Sequence, residues 1–282
     1  MGTIFGYTLG RFRGQVLGWG LALFLLGLLS AARYDVMQEN QKTIQELVKG
    51  SAGKFLRMFG EPSQLTTPEG FLSLAFFSYL PLVLGVFAVL AGSGLLAADE
   101  EGGTLDLVLA HPVSRTALFL GRLLAFAVAT LAILGLSWLG FVVAMSWSAL
   151  AVSPAALTLP YLSLLALLLF VGALALLLSL VLPSRRLAAM TAGMVLLVSY
   201  VLNTLARLDR SLENVVRLSP TYYYQSGEAI RGLNGWWFGG LLAVAGLLSM
   251  MAWWAFERRD IRVVGEGVWR WPWQRARAAG KL

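Results

Sequence analysis

Polar positions in this chain are gathered into a few stretches. Between them run six segments that are apolar almost without interruption, at about 16–32, 71–98, 123–150, 159–182, 187–205 and 236–256. A helix needs about 20 apolar residues to cross the hydrocarbon core of a bilayer. Each segment therefore predicts one membrane span, and together they predict a single all-α transmembrane domain over residues 1–282. The first span is the shortest. Arg11 and Arg13 before it and Ser30-Ala31-Ala32 after it would also suit a cleaved signal peptide, but the glycine-patterned stretch ahead of it favours a retained helix. The second is long and carries Pro81 with Gly85, Gly92 and Gly94. Pro81 predicts a kink, and the length allows tilt or extension beyond the membrane.

The polar stretches have patterns of their own. Residues 1–15 place Ile4, Phe5, Leu9 and Phe12 beside Arg11 and Arg13, which predicts an interfacial helix that turns into the first span. Gly6, Gly10, Gly14, Gly18 and Ala22 recur every four residues, a stripe that lets another helix approach closely. Residues 33–70 are polar and charge-balanced, with a helical pattern over 35–49 and breakers at Gly60-Glu61-Pro62 and Thr67-Pro68. Residues 99–115 begin with Asp99, Glu100 and Glu101, which suit the positive end of a helix dipole. Leu105, Val108 and Leu109 share one face of the helix expected to follow. Pro112 ends that helix, and Ser114 can cap the next, which enters the third span through Arg122. The pattern predicts a short amphipathic helix at the membrane surface, joined rigidly to two spans. In residues 206–235, Pro220, Tyr222, Tyr223 and Tyr224 read either as an aromatic belt at the outer interface or as an external gate. The last span is followed by Glu257-Arg258-Arg259-Asp260, a charged stop, and by a basic tail with Trp269, Trp271 and Trp273 suited to lipid headgroups.

Composition narrows the class. The chain is 58% hydrophobic and 13% charged, with a mean hydropathy of +0.72, whereas soluble domains carry about 25% charged residues. That leaves no room for a second, soluble enzyme domain. The net charge of +7 is accounted for by basic residues beside spans, which set orientation and meet anionic lipid, rather than by nucleic acid. The absence of cysteine excludes disulfides and thiolate chemistry. A single histidine, His111, excludes sites that need two. Neither H-E-x-x-H nor G-x-S-x-G occurs, and Gly92-Ser93-Gly94 lacks the second spacing. No catalytic or metal site is expected. Six spans put both termini on one side. The short turn with Arg185-Arg186 falls on that side, and the uncharged turn 151–158 on the other, which assigns the termini to the cytoplasm.

Glu100-Glu101-Gly102-Gly103-Thr104-Leu105-Asp106, then Pro112-Val113-Ser114-Arg115 and Leu120-Gly121-Arg122, resembles the signature of ABC-2-type permeases. These are the membrane subunits of bacterial ABC transporters, mostly exporters. Their pattern reads approximately E-x-x-G-T-L-[ED]-x-L-L-x-x-P-[VI]-[ST]-R, then L-G-[KR]. Gly102 departs from it, standing where a longer, often basic residue is common. The resemblance implies that residues 99–115 are a coupling helix docked in a groove of a separate ATPase subunit. Its docking residues would be Glu100, Glu101, Gly103, Thr104, Leu105, Asp106, Val108, Leu109, Pro112, Val113, Ser114 and Arg115, with Arg185 and Arg186 as a second inner contact. Two permease copies, or a copy and a paralogue, would pair with two ATPase subunits in a bacterial or archaeal cell membrane. The path would run between the copies, formed mainly by the second and fifth spans. ATP and Mg would sit on the partner, since this chain has no G-x-x-x-x-G-K-[ST] and binds no cofactor of its own. The apolar spans point to an amphipathic or hydrophobic cargo. The alternative is a secondary transporter or channel, which usually places ionisable residues inside the membrane; none lies in the six spans.

Overall fold

The computed structural model describes residues 2–40, 67–103, 114–207 and 210–258. Outside them lie most of the 35–49 helical pattern, the face of Leu105, Val108 and Leu109, His111, and the tryptophan-rich tail. Among the described residues every regular element is helical. The long helices are α1 (Gly2–Glu39), α5 (Arg115–Ala144), α6 (Pro154–Val181), α7 (Arg185–Ala206) and α9 (Gly235–Arg258). All five are long and apolar enough to span a membrane, and a bent helix pair, taken as one span, makes a sixth candidate. That pair joins α2 (Pro68–Leu72) and a π-helical turn, Ser73–Phe77, to α3 (Leu80–Gly94). Two short α-helices, α4 (Ala97–Glu101) and α8 (Glu213–Val216), and three 3-10 turns, Arg210–Leu212, Pro220–Tyr223 and Gly227–Arg231, complete the described elements. The protein is an all-α, multi-pass membrane protein.

Serine starts three of the spans. Ser114, Ser153 and Ser184 cap α5, α6 and α7, each accepting the N–H three residues on, at 3.1 to 3.3 Å. Each oxygen occupies a donor that the first turn of a helix leaves unpaired. Pro154 follows its cap at a position where no N–H is required. The third predicted span is displaced toward the N-terminus: its helix begins at the Ser114 cap and stops at Ala144. The loop beyond is held by Asp35, whose carboxylate accepts from the Ser148 hydroxyl and the Ala149 N–H, both at 2.8 Å.

The turn expected between residues 1–15 and the first span does not form, and α1 is one helix. A glycine costs a helix only about 1 kcal/mol, and packing along α5 holds the whole length. The stripe of Gly6, Gly10, Gly14 and Gly18 faces away from every described neighbour. The packed glycines of α1 are Gly20, against Leu136, and Gly27, against Gly140 and Phe141.

The second span bends by 42° between Pro68–Phe77 and Leu80–Gly94. Pro81 sits in the first turn of α3, so the chain breaks ahead of it, at Ser78 and Tyr79, rather than kinking through it. At the centre of the bundle, α6 packs on α3, α5, α7 and α9, while α1 leans on α5 from outside. Aromatic rings fill the interior: Phe76 meets Phe141 at 4.7 Å, Phe77 meets Tyr161 at 5.1 Å, and Phe87 stacks on Phe126 at 6.1 Å.

Candidate functional site

The polar chemistry is concentrated at the two ends of the bundle. At one end the second span breaks at Leu95 and Leu96 and restarts as α4. Asp99 and Glu100 lie in the first turn of α4, where the helix dipole favours them. They therefore belong to a short helix that ends at Glu101. Gly102 caps α4, and Gly103 follows at φ +65°. That left-handed geometry favours glycine and stops the helix, with the Gly103 N–H donating to the Glu100 carbonyl at 3.2 Å.

Asp99 points inward. Its carboxylate accepts from Arg11 at 2.8 Å and from Arg122 at 2.6 Å. Arg122 is buried, 4% exposed, and also donates to the Leu95 carbonyl at 2.5 Å. Burying a guanidinium is tolerable only when it is paired in this way. The network ties α1 and α5 to the beginning of residues 99–115, the connector between the second and third spans. It was missed in the sequence because its members are far apart, Asp99 lying 88 residues from Arg11. The one local signal was an arginine, Arg122, at the edge of an apolar run.

Glu101 is exposed, and its carboxylate accepts the main-chain N–H of Arg185 at 3.0 Å. The structure thus brings the α6–α7 turn against the connector. Arg186, next in sequence, is exposed. On the far side of the connector Ser114 caps α5, while Arg115 donates to the Phe256 and Glu257 carbonyls at 3.4 and 3.3 Å. Thr116 donates to the Glu257 carboxylate at 2.7 Å. The end of α9 is therefore secured to the start of α5. Of the docking residues read from the sequence, Glu100, Glu101, Gly103, Ser114, Arg115, Arg185 and Arg186 gather at this end. Thr104, Leu105, Asp106, Val108, Leu109, Pro112 and Val113 lie outside the described residues.

At the other end, residues 219–231 fold over the bend in the second span. Tyr224 donates to the Phe77 carbonyl at 2.9 Å, and Ser226 to the Ser73 carbonyl at 3.2 Å. Those carbonyls belong to the π-turn ahead of the break, where regular helix bonding is disturbed. Asn203 donates to the Thr221 carbonyl at 3.0 Å, and the Gln225 N–H to the Ser163 hydroxyl at 2.9 Å. Loss of solvent pushes the Tyr224 phenol well above the usual tyrosine range, so it remains a donor at neutral pH. Pro220 opens this segment, and Tyr222 and Tyr223 pack on Trp237 at 5.4 and 5.9 Å. Tyr224→Phe is expected to destabilise the protein by about 1–2 kcal/mol, the cost of an unmade buried bond. Tyr222→Phe should be neutral. Thermal unfolding of detergent-solubilised variants measures both, and equal midpoints would remove Tyr224 from this role.

A polar connector at one end, a capped break at the other and apolar helices between them define a multi-pass membrane protein. The family model described as ABC-2 family transporter protein matches residues 12–214. The chain belongs to the ABC-2 transporter family, and it is a membrane permease component of an ABC transporter. The match runs from the third turn of α1 through the connector to α8. A comparison with curated proteins returns no match.

Proposed function

We propose that this chain is the permease subunit of an ATP-driven exporter, energised by a separate ATPase subunit that docks on residues 99–115 and on the α6–α7 turn. The observation that carries the reading is the bond between Glu101 and the Arg185 N–H. Two polar elements, 84 residues apart, form one surface at one end of the bundle, beside the membrane-facing ends of four spans. The side bearing that surface is assigned to the cytoplasm of a bacterial or archaeal cell. ATP and Mg act on the partner, which pushes on the connector.

Force has two ways into the membrane from there. Through α4 it reaches α3, and through the capped start of α5 it reaches α1 and α9. A ligand-driven change needs an element with two arrangements, and the 42° bend of the second span supplies one. Residues 219–231 close over that bend, so straightening it would break the Tyr224 and Ser226 bonds and open the outer end. The apolar face of α7, with Met190, Met194, Val198 and Val201, is bare in a single chain. It suits a second copy or paralogue and, between the two, a path for an amphipathic or hydrophobic cargo.

Glu101→Lys and Arg186→Glu are expected to weaken ATPase capture about tenfold or more, since like charges set against each other at an interface cost several kcal/mol. The test is copurification with an ABC ATPase sought in the reading frames beside this gene, followed by ATP-dependent transport in vesicles. Equal recovery by wild type and both variants would defeat the docking site. Transport by the purified chain without nucleotide would favour a secondary transporter or channel instead.

A further inference from the structure

A cavity of about 200 Å³ lies between α1 and α3 at the connector end. Arg11, Arg122 and Arg185, from three different helices, line it with Gln15 and Thr8. Among the described residues no carboxylate lines it. Asp99 sits behind the wall, one carboxylate between two guanidinium groups. Glu101 holds the main chain of Arg185, not its side chain. The Arg185 guanidinium has no ion-pair partner among the described residues and makes only a long bond, 3.4 Å, to the Leu90 carbonyl. It lies over Gly94, where a Cβ would come within 3.0 Å of it.

The rim of the cavity is exposed and partly apolar. Arg11 is 48% exposed at its mouth. Leu90, on its rim, and Val86, one turn further into the membrane, are bare. Guanidinium groups present flat forks of donors that match phosphate oxygens in pairs. A basic cavity at the end of the spans, with apolar surface directly beyond it, has the layout of a phospholipid: charged head, then chain.

We propose that this cavity binds the phosphate of an anionic lipid headgroup, with the acyl chains lying over Val86 and Leu90. The bound headgroup would bridge α1 and α7 and complete the charge balance that Asp99 leaves open. Free phosphate carries the same chemistry, so the test separates the two.

The purified chain, without any ATPase, is delipidated and then offered phosphatidylglycerol, phosphatidylcholine or inorganic phosphate, with retention read by native mass spectrometry. Wild type is expected to keep phosphatidylglycerol in preference to phosphatidylcholine. Arg185→Gln and Arg11→Gln should each reduce that retention about fivefold, the worth of one arginine near an anionic headgroup. Arg13→Gln, which does not line the cavity, should match wild type. Arg185 makes no contact with Asp99, so its variant is informative even where loss of Arg11 loosens α1. Retention of phosphatidylglycerol unchanged in Arg185→Gln overturns the site. Arginine-dependent binding of inorganic phosphate without that of phosphatidylglycerol overturns the lipid. Because no ATPase is present, neither outcome bears on the docking surface.

Discussion

Asp99→Ala is expected to cost the fold about 3–5 kcal/mol, the usual penalty for removing one partner of a buried ion pair. Asp99 is the only carboxylate paired with buried Arg122 among the described residues. Without it, Arg122 keeps the Leu95 carbonyl but not a counter-charge. Arg11, half-exposed, can turn to solvent, so Arg11→Gln should cost well under half as much. The pairing makes a sharper expectation. Asp99→Ala combined with Arg122→Leu should recover most of the loss, because well-packed apolar residues replace a buried pair at little cost. The measurement is the temperature at which the solubilised protein loses its monodisperse peak, for both single variants and the double. A double variant less stable than Asp99→Ala would show that the pair is not the unit of stability. Coupling should fall with it, since Asp99 joins the connector to α1 and α5. An Asp99→Ala protein rescued by low temperature is expected to transport poorly even where it folds.

The contrast between Asp99 and the apolar runs shows what was legible in the sequence. A span announces itself locally, because about 20 successive residues must all be apolar, and the all-α membrane class followed from that alone. Serine caps and Pro81 are local as well, and the structure has Ser114 capping α5 and a bend just ahead of Pro81. Partners are not local. Nothing near Asp99 shows that its counter-charges come from Arg11 and Arg122, and nothing near Tyr224 shows that its hydroxyl meets the Phe77 carbonyl, 147 positions away. The glycines make the same point in reverse. Gly6, Gly10, Gly14 and Gly18 form the regular stripe, yet the packed glycines of α1 are Gly20 and Gly27, chosen by where α5 lies. The continuity of α1 was hidden too, since a helix in the interface and a helix that continues into a span have the same composition. Of the docking surface, the Glu101 and Arg185 ends were legible as polar outliers between spans; their meeting was not.

Gly92→Leu should abolish a properly folded bundle, and Gly92→Ala should already cost at least about 3 kcal/mol, the upper end of overpacking in a well-filled core. At Gly92, α3 crosses α6 backbone to backbone: an added Cβ would run into the Gly172 carbonyl oxygen, with the Gly172 Cα at 2.8 Å. A flexible side chain could yield, but main chain on both sides cannot. Gly172 is held from behind, because a Cβ there would enter the Phe126 ring. Helices in a membrane gain stability from such close approach, having no hydrophobic drive between them. The control is Gly135→Ala, in open space on α5, where better helix propensity should add up to about 1 kcal/mol. Recovery of monodisperse protein and its unfolding midpoint decide the matter; Gly92→Ala behaving like Gly135→Ala would mean that the crossing can open freely. The position also bears on movement. The bend at Ser78 and Tyr79 lies on one side of Gly92 and the connector on the other. If force from the connector tilts α3, the crossing with Gly172 is the fixed point about which it turns. Widening that crossing should therefore disconnect the two ends before it unfolds the chain, so that Gly92→Ala loses transport at temperatures where its helices are still intact.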